Sequence, residues 1–183
     1  MKNMRGITLF EVMVAVAIVG IVLATAVPGF RATIQNSSMT TVTNQMVTFM
    51  HAARSEAVKR RQRVTMCRGL VDQPQCDAGG EGLLVFFNAD DDVSFDAGNG
   101  DTLVRHSRWL RGGIQPNSVA LPHYVHYNAA GFSRLIGDVP AAGDIAICDE
   151  RGTDNARVLT LTVTGRPQVR DWPNVQNAPP CAT

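Results

Sequence analysis

The chain has almost no excess of charge of either sign. Its formal net charge is +1 over 183 residues, which excludes both an acidic solvating protein and a wholly basic nucleic-acid-binding protein as its overall character. Internal repeats and low-complexity segments are also lacking from the sequence. A chain of this length is expected to form one compact domain with an appended segment.

Groupings of residues that are typical of enzymes and metal sites are lacking as well. The sequence has no Ser-His-Asp or Cys-His pattern that predicts a nucleophile with its base. His123 and His126 have no acidic or cysteine set nearby, and they flank Tyr124 on a predicted strand. The close paired spacing of a zinc ribbon is not found among the four cysteines, which are Cys67, Cys76, Cys148 and Cys181. We therefore predict no enzymatic activity and no cofactor.

One acidic stretch needs separate treatment, because clustered carboxylates are the ligands that calcium prefers. Residues 88–92 read Asn-Ala-Asp-Asp-Asp, and Asp96 and Asp101 follow. The EF-hand template fails here, because Phe95 occupies its glycine position and the twelfth position is not Glu. The stretch is predicted to be a solvated loop between strands, with no metal.

The N-terminus carries the strongest signal in the sequence. Lys2 and Arg5 precede an apolar run from Ile7 to Val27, whose exceptions are Thr8, Glu11, Gly20 and Thr25. About 20 apolar residues span a bilayer core, and preceding cations tend to stay on the cytoplasmic side, so the rest of the chain is predicted to be exported. Disulfides persist in such a compartment and are the preferred interpretation of the four cysteines.

An ordinary secretory signal is cut after its apolar core, but here Gly6 stands directly before the core and Glu11 lies within it. An acid inside a membrane segment is costly and indicates function. The run Gly-Ile-Thr-Leu-Phe-Glu over residues 6–11 resembles the class III signal of type IV prepilins and type II secretion pseudopilins. Pro28 stands where these proteins commonly carry a helix-kinking proline.

The resemblance implies that prepilin peptidase cuts between Gly6 and Ile7 and methylates the new amine of Ile7. It also implies that Glu11 faces the N-terminal amine of a neighbouring subunit during assembly. At about 4 Å and an effective dielectric near 20, that attraction is about 4 kcal/mol. This is comparable to the roughly 2.5–3.5 kcal/mol cost of placing the acid at mid-membrane, so the pair is interpreted as a device that sets register.

Beyond Pro28 an amphipathic helix is predicted to end near Arg60, with apolar residues at helical spacing: Phe30, Ile34, Val42, Met46, Phe49, Met50, Ala53 and Ala57. Short β-type runs follow, at 64–67, 82–88, 102–109, 119–128, 144–149 and 157–163. The last run alternates with period two, which predicts a half-buried antiparallel strand. The fold class is therefore α+β, a long helix packed on an antiparallel head.

The head resembles the GspH/FimT group of minor pilins and pseudopilins. The resemblance lies in four stretches, Phe-Met-His-Ala-Ala-Arg-Ser-Glu-Ala-Val-Lys-Arg at 49–60, Val-Thr-Met-Cys at 64–67, Tyr-Asn-Ala-Ala-Gly-Phe-Ser at 127–133, and Thr-Gly-Arg at 164–166. Four cysteines allow three connectivities. We predict the one that joins sequence neighbours, with disulfides Cys67–Cys76 and Cys148–Cys181.

Some members of this group bind DNA through a Gly-Arg-x-Arg element near the C-terminus. Only Gly165 and Arg166 match it here, since Gln168 stands where the second arginine belongs and Arg170 follows two residues later. The basic stretch near the helix end is predicted to help, through Lys59, Arg60, Arg61 and Arg63. Taken alone, that stretch also fits a solvated helix end that complements the helix dipole.

These observations predict a leader at 1–6, a membrane and filament-core helix at 7–28, an amphipathic half at 29–62 and an extracytoplasmic head at 63–183. The predicted function is that of a FimT-like minor pilin in pilus assembly or priming, with binding of double-stranded DNA in uptake. The alternative is a GspH-like minor pseudopilin of type II secretion. Expected partners are other minor and major pilins, prepilin peptidase and the inner-membrane assembly platform. The protein is expected in the inner membrane with its head in the periplasm, then in a surface filament.

Overall fold

A computed structural model describes residues 8–70, 74–108, 113–172 and 179–181. The chain divides into two compact units, residues 1–37 and residues 38–183. Helix α1 spans Leu9–Arg60 and therefore contributes to both. The predicted cleavage and methylation sites, Gly6 and Ile7, lie outside the described residues. Helical backbone continues across Pro28, whose side chain is likewise not described, and the kink stays a prediction.

Eleven strands are found among the described residues: β1 Val64–Leu70, β2 Gln75–Cys76, β3 Gly82–Phe87, β4 Thr102–Arg108, β5 Gln115–Asn117, β6 Tyr124–Tyr127, β7 Ser133–Leu135, β8 Val139–Pro140, β9 Gly143–Cys148, β10 Arg157–Leu161 and β11 Pro167–Asp171. The first sheet has the order β4-β3-β1-β6-β7-β8, with β2 also paired to β1. The second has the order β11-β10-β9-β5. Every pairing between these strands is antiparallel.

The core of the second unit lies between α1 and the inner faces of both sheets. The helix contributes buried side chains at spacings of three and four residues, as one face of an α-helix requires: Met39, Val42, Met46, Phe49, Met50, Ala53 and Ala57. The predicted amphipathic pattern is correct from Val42 onward. It is wrong at Phe30 and Ile34, which are 68% and 51% exposed because they precede the unit that supplies the core.

Helix α1 ends at the predicted residue by a Schellman-type arrangement. Arg61 adopts a left-handed backbone with φ of 53°, and the Gln62 amide donates to the Ala57 carbonyl at 3.3 Å. This bond satisfies a carbonyl that would otherwise lack a helical partner. Since Arg61 is not glycine, the left-handed conformation costs about 1 kcal/mol.

The observed strands differ from the sequence prediction in three respects that affect the second sheet and its neighbours. The run predicted at 119–128 is a strand only at β6, because residues 118–122 form a turn in which Val119 is 87% exposed. Strand β5, which sequence reasoning missed, contains Pro116 and forms an edge, where a missing N–H is tolerated. Strand β10 is not half-buried, since Val158 and Leu159 are both fully buried.

The chain's last described residues cover the face of β9 that carries Ala146 and Cys148. Cys181 packs with Ala146, Cys148 and Ala156, and the half-buried Trp172 lies against this cluster. The Cys148–Cys181 disulfide holds the tail there. Together with Cys67–Cys76, it gives the connectivity predicted from sequence neighbours.

Candidate functional site

The start of α1 is capped locally by the residues of the predicted assembly motif. The Glu11 amide donates to Thr8 Oγ1 at 3.3 Å, and the Val12 amide donates to the Thr8 carbonyl at 3.3 Å. Thr8-x-x-Glu11 has the residue pattern of a capping box, in which the acid also supports the first turn. The residue pattern thus gives Glu11 a capping position beside the intersubunit role predicted for it, and Glu11 is exposed in the isolated chain.

The first helical turns offer one continuous apolar surface. Described residues 8–27 are all exposed, and α1 is long and apolar enough to cross a membrane. Thr25 satisfies its hydroxyl within the helix by donating to the Val22 carbonyl at 3.1 Å. This intrahelical hydrogen bond matters in a lipid or filament core, where a polar group has no water to bind.

The hairpin of β10 and β11 carries the two arginines predicted to contact DNA. Gly165 turns the chain with φ of 75°, and its amide donates to the Thr162 carbonyl at 2.8 Å. Arg166 and Arg170 are exposed and four residues apart. Arg166 directly precedes β11 and Arg170 lies within it, so alternation along this extended segment places both on the side that carries Gln168. Neither forms an ion pair within the described ranges, and Arg170 donates to Gln168 Oε1 at 3.3 Å.

The hairpin turn is fastened to α1 through the loop that follows β6. Arg54 Nε donates to the Gly131 carbonyl at 2.9 Å, and a Cβ on Gly165 would lie 2.3 Å from the same oxygen. Asn128 shapes this loop by accepting from the amides of Ala130 and Phe132. The Asn-x-x-Gly stretch at 128–131 carries part of the family resemblance, but no role is predicted for it from sequence. The structure makes it the support of the arginine hairpin.

The predicted helpers near the helix end are mostly engaged in other contacts. Lys59 and Arg60 both pair with Glu56, at 3.6 and 3.1 Å, and the Arg60 guanidinium lies 4.5 Å from the Phe87 ring centre. Arg63 pairs with Asp91 at 2.7 Å.

Arg61 differs from these three residues, because it is exposed and forms no ion pair within the described segments. No hydrogen bond or ion pair in the described part of the chain joins the helix-end group to the hairpin arginines. Most helix-end cations are therefore engaged in contacts of their own, and the hairpin pair is the less engaged part of the predicted basic patch.

The acidic loop is built as a scaffold. Asp101 is buried and accepts from the amides of Ala89 and Asp96, at 2.9 and 3.0 Å. Asp90, Asp92 and Asp101 bring carboxylate oxygens within 4.8 Å of one another. Burial, then the charge of Asp90, raises the pKa of Asp92. Asp92 and Asp101 accept hydrogen bonds from backbone amides of their own loop, and Asp90 accepts one from the Asn99 side-chain amide. These bonds explain the geometry of the loop without a ligand.

A buried polar chain ties this loop to the first sheet. His126 Nδ1 and Thr65 Oγ1 form a hydrogen bond of 2.6 Å, and Asn88 Nδ2 donates to Thr65 Oγ1 at 2.9 Å. Asn88 Nδ2 also donates to the Asp92 carbonyl. Burial lowers the pKa of His126 to about 4. His126 is a neutral structural residue at ordinary pH, in agreement with its placement on a strand beside Tyr124.

An apolar N-terminal helix with an acid in its capped first turn, joined to a helix-backed antiparallel head, defines the class of type IV pilin-like proteins. A family model described as type II transport protein GspH matches residues 42–165, and a prokaryotic N-terminal methylation motif matches residues 1–27. The chain belongs to the GspH family. The anchor helix and the methylation motif fit an inner-membrane-anchored pilin.

The fold is also that of solved minor-pilin structures. A crystal structure of the type IV minor pilin FimU from Pseudomonas aeruginosa strain PAO1 aligns with a TM-score of 0.57 at 18% identity, covering 79% of this chain and 96% of that chain. In a second crystal form of FimU the TM-score is 0.54 at 20% identity, covering 75% and 96%. No curated protein sequence gives a significant match.

Proposed function

We propose that this protein is a FimT-like minor pilin that helps to assemble or prime a type IV pilus. Prepilin peptidase removes residues 1–6 and methylates Ile7, and the mature chain waits in the inner membrane with its head in the periplasm. The assembly platform then moves it into a filament with major and other minor pilins. The observation that carries the proposal is Glu11, an acid in an apolar helix whose described residues from 8 to 27 are all exposed.

The first experiment separates the charge of Glu11 from its capping role. Glu11→Gln keeps the capping-box pattern, since Gln also serves at that position, but it removes the partner of a neighbour's amine. Glu11→Ala removes both. Both variants should be processed and reach the membrane, and both should be depleted from sheared filaments by about tenfold or more, since 1.4 kcal/mol already gives a factor of ten. Normal incorporation of Glu11→Gln would show that the charge has no role in assembly.

The alternative within the family is a GspH-like minor pseudopilin of type II secretion, whose fold and leader would be the same. Deleting the gene and scoring piliation, transformation and exoprotein secretion together separates the two. A minor pilin loses piliation or transformation and keeps secretion. Loss of secretion alone would transfer the proposal to the pseudopilin.

DNA binding is a second function, supported by the exposure of Arg166 and Arg170 on one face of the hairpin. Their separation along the extended backbone from 166 to 170 is about 13 Å at 3.3 Å per residue. Arginine offers a planar fork of donors that matches phosphate oxygens, and phosphate contacts hold a duplex without reading its bases. We therefore expect weak binding of double-stranded DNA without sequence preference.

The test is a salt titration of DNA binding by a head fragment that lacks residues 1–34. Each neutralised phosphate contributes about −0.9 to the slope of log affinity against log salt, so replacing Arg166 and Arg170 together should flatten the slope by nearly 2. Arg157→Ala is the control on the neighbouring strand. Absence of binding at about 50 mM salt, where such contacts are strong, or an unchanged slope in the double variant would refute DNA binding and leave the assembly role intact.

A further inference from the structure

A cleft of about 240 Å³ opens into the second unit between the inner faces of the two sheets. Its deep walls are apolar and come from α1 and both sheets, with Met46, Met50, Leu83, Val125, Ile145 and Leu161 among them. These side chains are at most 6% exposed. An apolar cavity of about 150 Å³ accepts benzene, so this cleft is large enough for an aromatic side chain.

The composition of the walls suits a variable occupant. Three of the lining residues are methionines, at positions 46, 50 and 66. Methionine is unbranched and polarizable, and it is over-used at surfaces that adapt to different apolar partners. The rim is partly formed by Ser118, whose hydroxyl donates to the Asp144 carbonyl at 2.7 Å and accepts from the Leu121 amide at 3.1 Å. These hydrogen bonds within the chain fix the position of this part of the rim.

Arg68 is the unexpected residue of the cleft. It follows Val64 and Met66 at two-residue spacing, so it lies on the core-facing side of β1, where an apolar residue is the norm. Its Nε is buried and has no hydrogen-bond partner within the described residues. Its Nη2 makes one long bond, to the Gly80 carbonyl at 3.4 Å.

Among the described residues, Asp77 does not compensate the burial of this guanidinium. Asp77 attracts it, but no ion pair within 4 Å joins the two in the described part of the chain. Burial lowers the pKa of Arg68 by more than Asp77 raises it. The guanidinium is half-buried, and within the described residues its buried Nε lacks the paired carboxylate that such groups normally have.

We propose that this cleft docks a segment of a partner pilin that carries a large apolar side chain next to a carboxylate. The side chain enters between the methionines, and the carboxylate accepts hydrogen bonds from the Arg68 guanidinium. The inference rests on the proposed function, because the partner is another filament subunit. Charge complementarity selects this occupant, since a neutral apolar group would leave the buried Nε without an acceptor.

The test uses the full chain in detergent micelles, labelled with ¹³C at the methionine methyl groups. The probe is N-acetyl-L-phenylalanine, which carries a phenyl ring beside a carboxylate, and its neutral amide is the matched ligand. We expect saturable shifts of Met46, Met50 and Met66, with Met39, a core methionine that does not line the cleft, as the unshifted reference. The amide should bind about tenfold more weakly or worse, as the loss of one buried charge pair predicts.

Two variants locate the effect. Arg68→Gln should reduce the affinity for the acid to that for the amide and leave the amide unchanged. Arg105→Gln is the charge control, because Arg105 lies over the Phe49 ring and does not line the cleft; it should change neither affinity. Equal binding of acid and amide by the unmodified chain, or no saturable shift up to about 10 mM, which corresponds to very weak binding, would overturn the site. The ligand comparison on the unmodified chain needs no variant to fold.

A filament assay links the cleft to assembly. Full-length Arg68→Gln should be processed and membrane-bound like the unmodified chain, and its amount in sheared filaments should fall several-fold. Normal incorporation would overturn docking at this cleft. Failure of the proposed function is distinguishable, because then the Glu11 variants would also enter filaments normally, whereas probe binding to the cleft needs no filament.

Discussion

Replacing Gly165 with alanine should weaken the head more than the same change at another glycine of equal backbone conformation. A Cβ at position 165 would lie 2.3 Å from the Gly131 carbonyl oxygen and 3.0 Å from Tyr127 Cε1. Neither neighbour can move freely, because Gly131 accepts from Arg54 and Tyr127 is fully buried. Gly137 has the same φ of 75°, yet a Cβ there would meet nothing within 4 Å.

The comparison separates two costs. Left-handed backbone at a residue with a side chain costs about 1 kcal/mol, and both variants include it. Both also gain equally from the stiffer unfolded chain. Only Gly165→Ala adds the close contact, for which overpacking data give about 1–3 kcal/mol. The excess destabilisation of Gly165→Ala over Gly137→Ala should therefore be about 1–3 kcal/mol.

Thermal and urea unfolding of the head fragment measure this excess. For a unit of this size it corresponds to a further fall in Tm of roughly 2–12 °C. Because Arg166 follows Gly165 directly, Gly165→Ala should also weaken DNA binding, whereas Gly137→Ala should not. Equal destabilisation by the two variants would refute the close packing of the hairpin turn on the Gly131 loop.

Three further outcomes are expected. His126 binds a proton below about pH 6.5 in the unfolded chain but only below about pH 4 in the folded chain. As the pH falls from 6.5 to 4, the free energy of unfolding should therefore fall by roughly 2–3 kcal/mol. Urea unfolding of His126→Gln over the same pH range should lack this contribution. The double substitution Cys148→Ser and Cys181→Ser should lower the free energy of unfolding by about 4 kcal/mol, as the loop-entropy model gives. Equal urea midpoints for the double variant and the unmodified chain would contradict this. Phe49→Ala should lower the free energy of unfolding of the head, measured in the full chain, by about 3–5 kcal/mol. Phe30→Ala should leave it almost unchanged, because Phe30 is exposed.

Most of the architecture could be predicted because its signals are local. The apolar run after Lys2 and Arg5, the four-residue spacing from Val42 to Ala57 and the β-rich runs behind it depend only on hydrophobic period and length. Strands β2, β5, β7, β8 and β11 were missed because they are short and lie near proline, glycine or polar residues. Their pairing depends on neighbours distant in sequence, which raises the uncertainty of any local prediction.

The functional features likewise fall into those that the sequence alone predicts and those that depend on the tertiary structure. Sequence motifs alone determined the membrane-length helix, its acid at Glu11 and the identity of the hairpin arginines, since each is a matter of residue type at fixed local spacing. Only the tertiary structure decided that Arg63 is paired with Asp91. It also decided that Gly165 must be glycine because Gly131 is beside it, and that Arg68 faces a cleft. These are contacts between residues far apart in the chain, and they exist only once packing has chosen which faces meet.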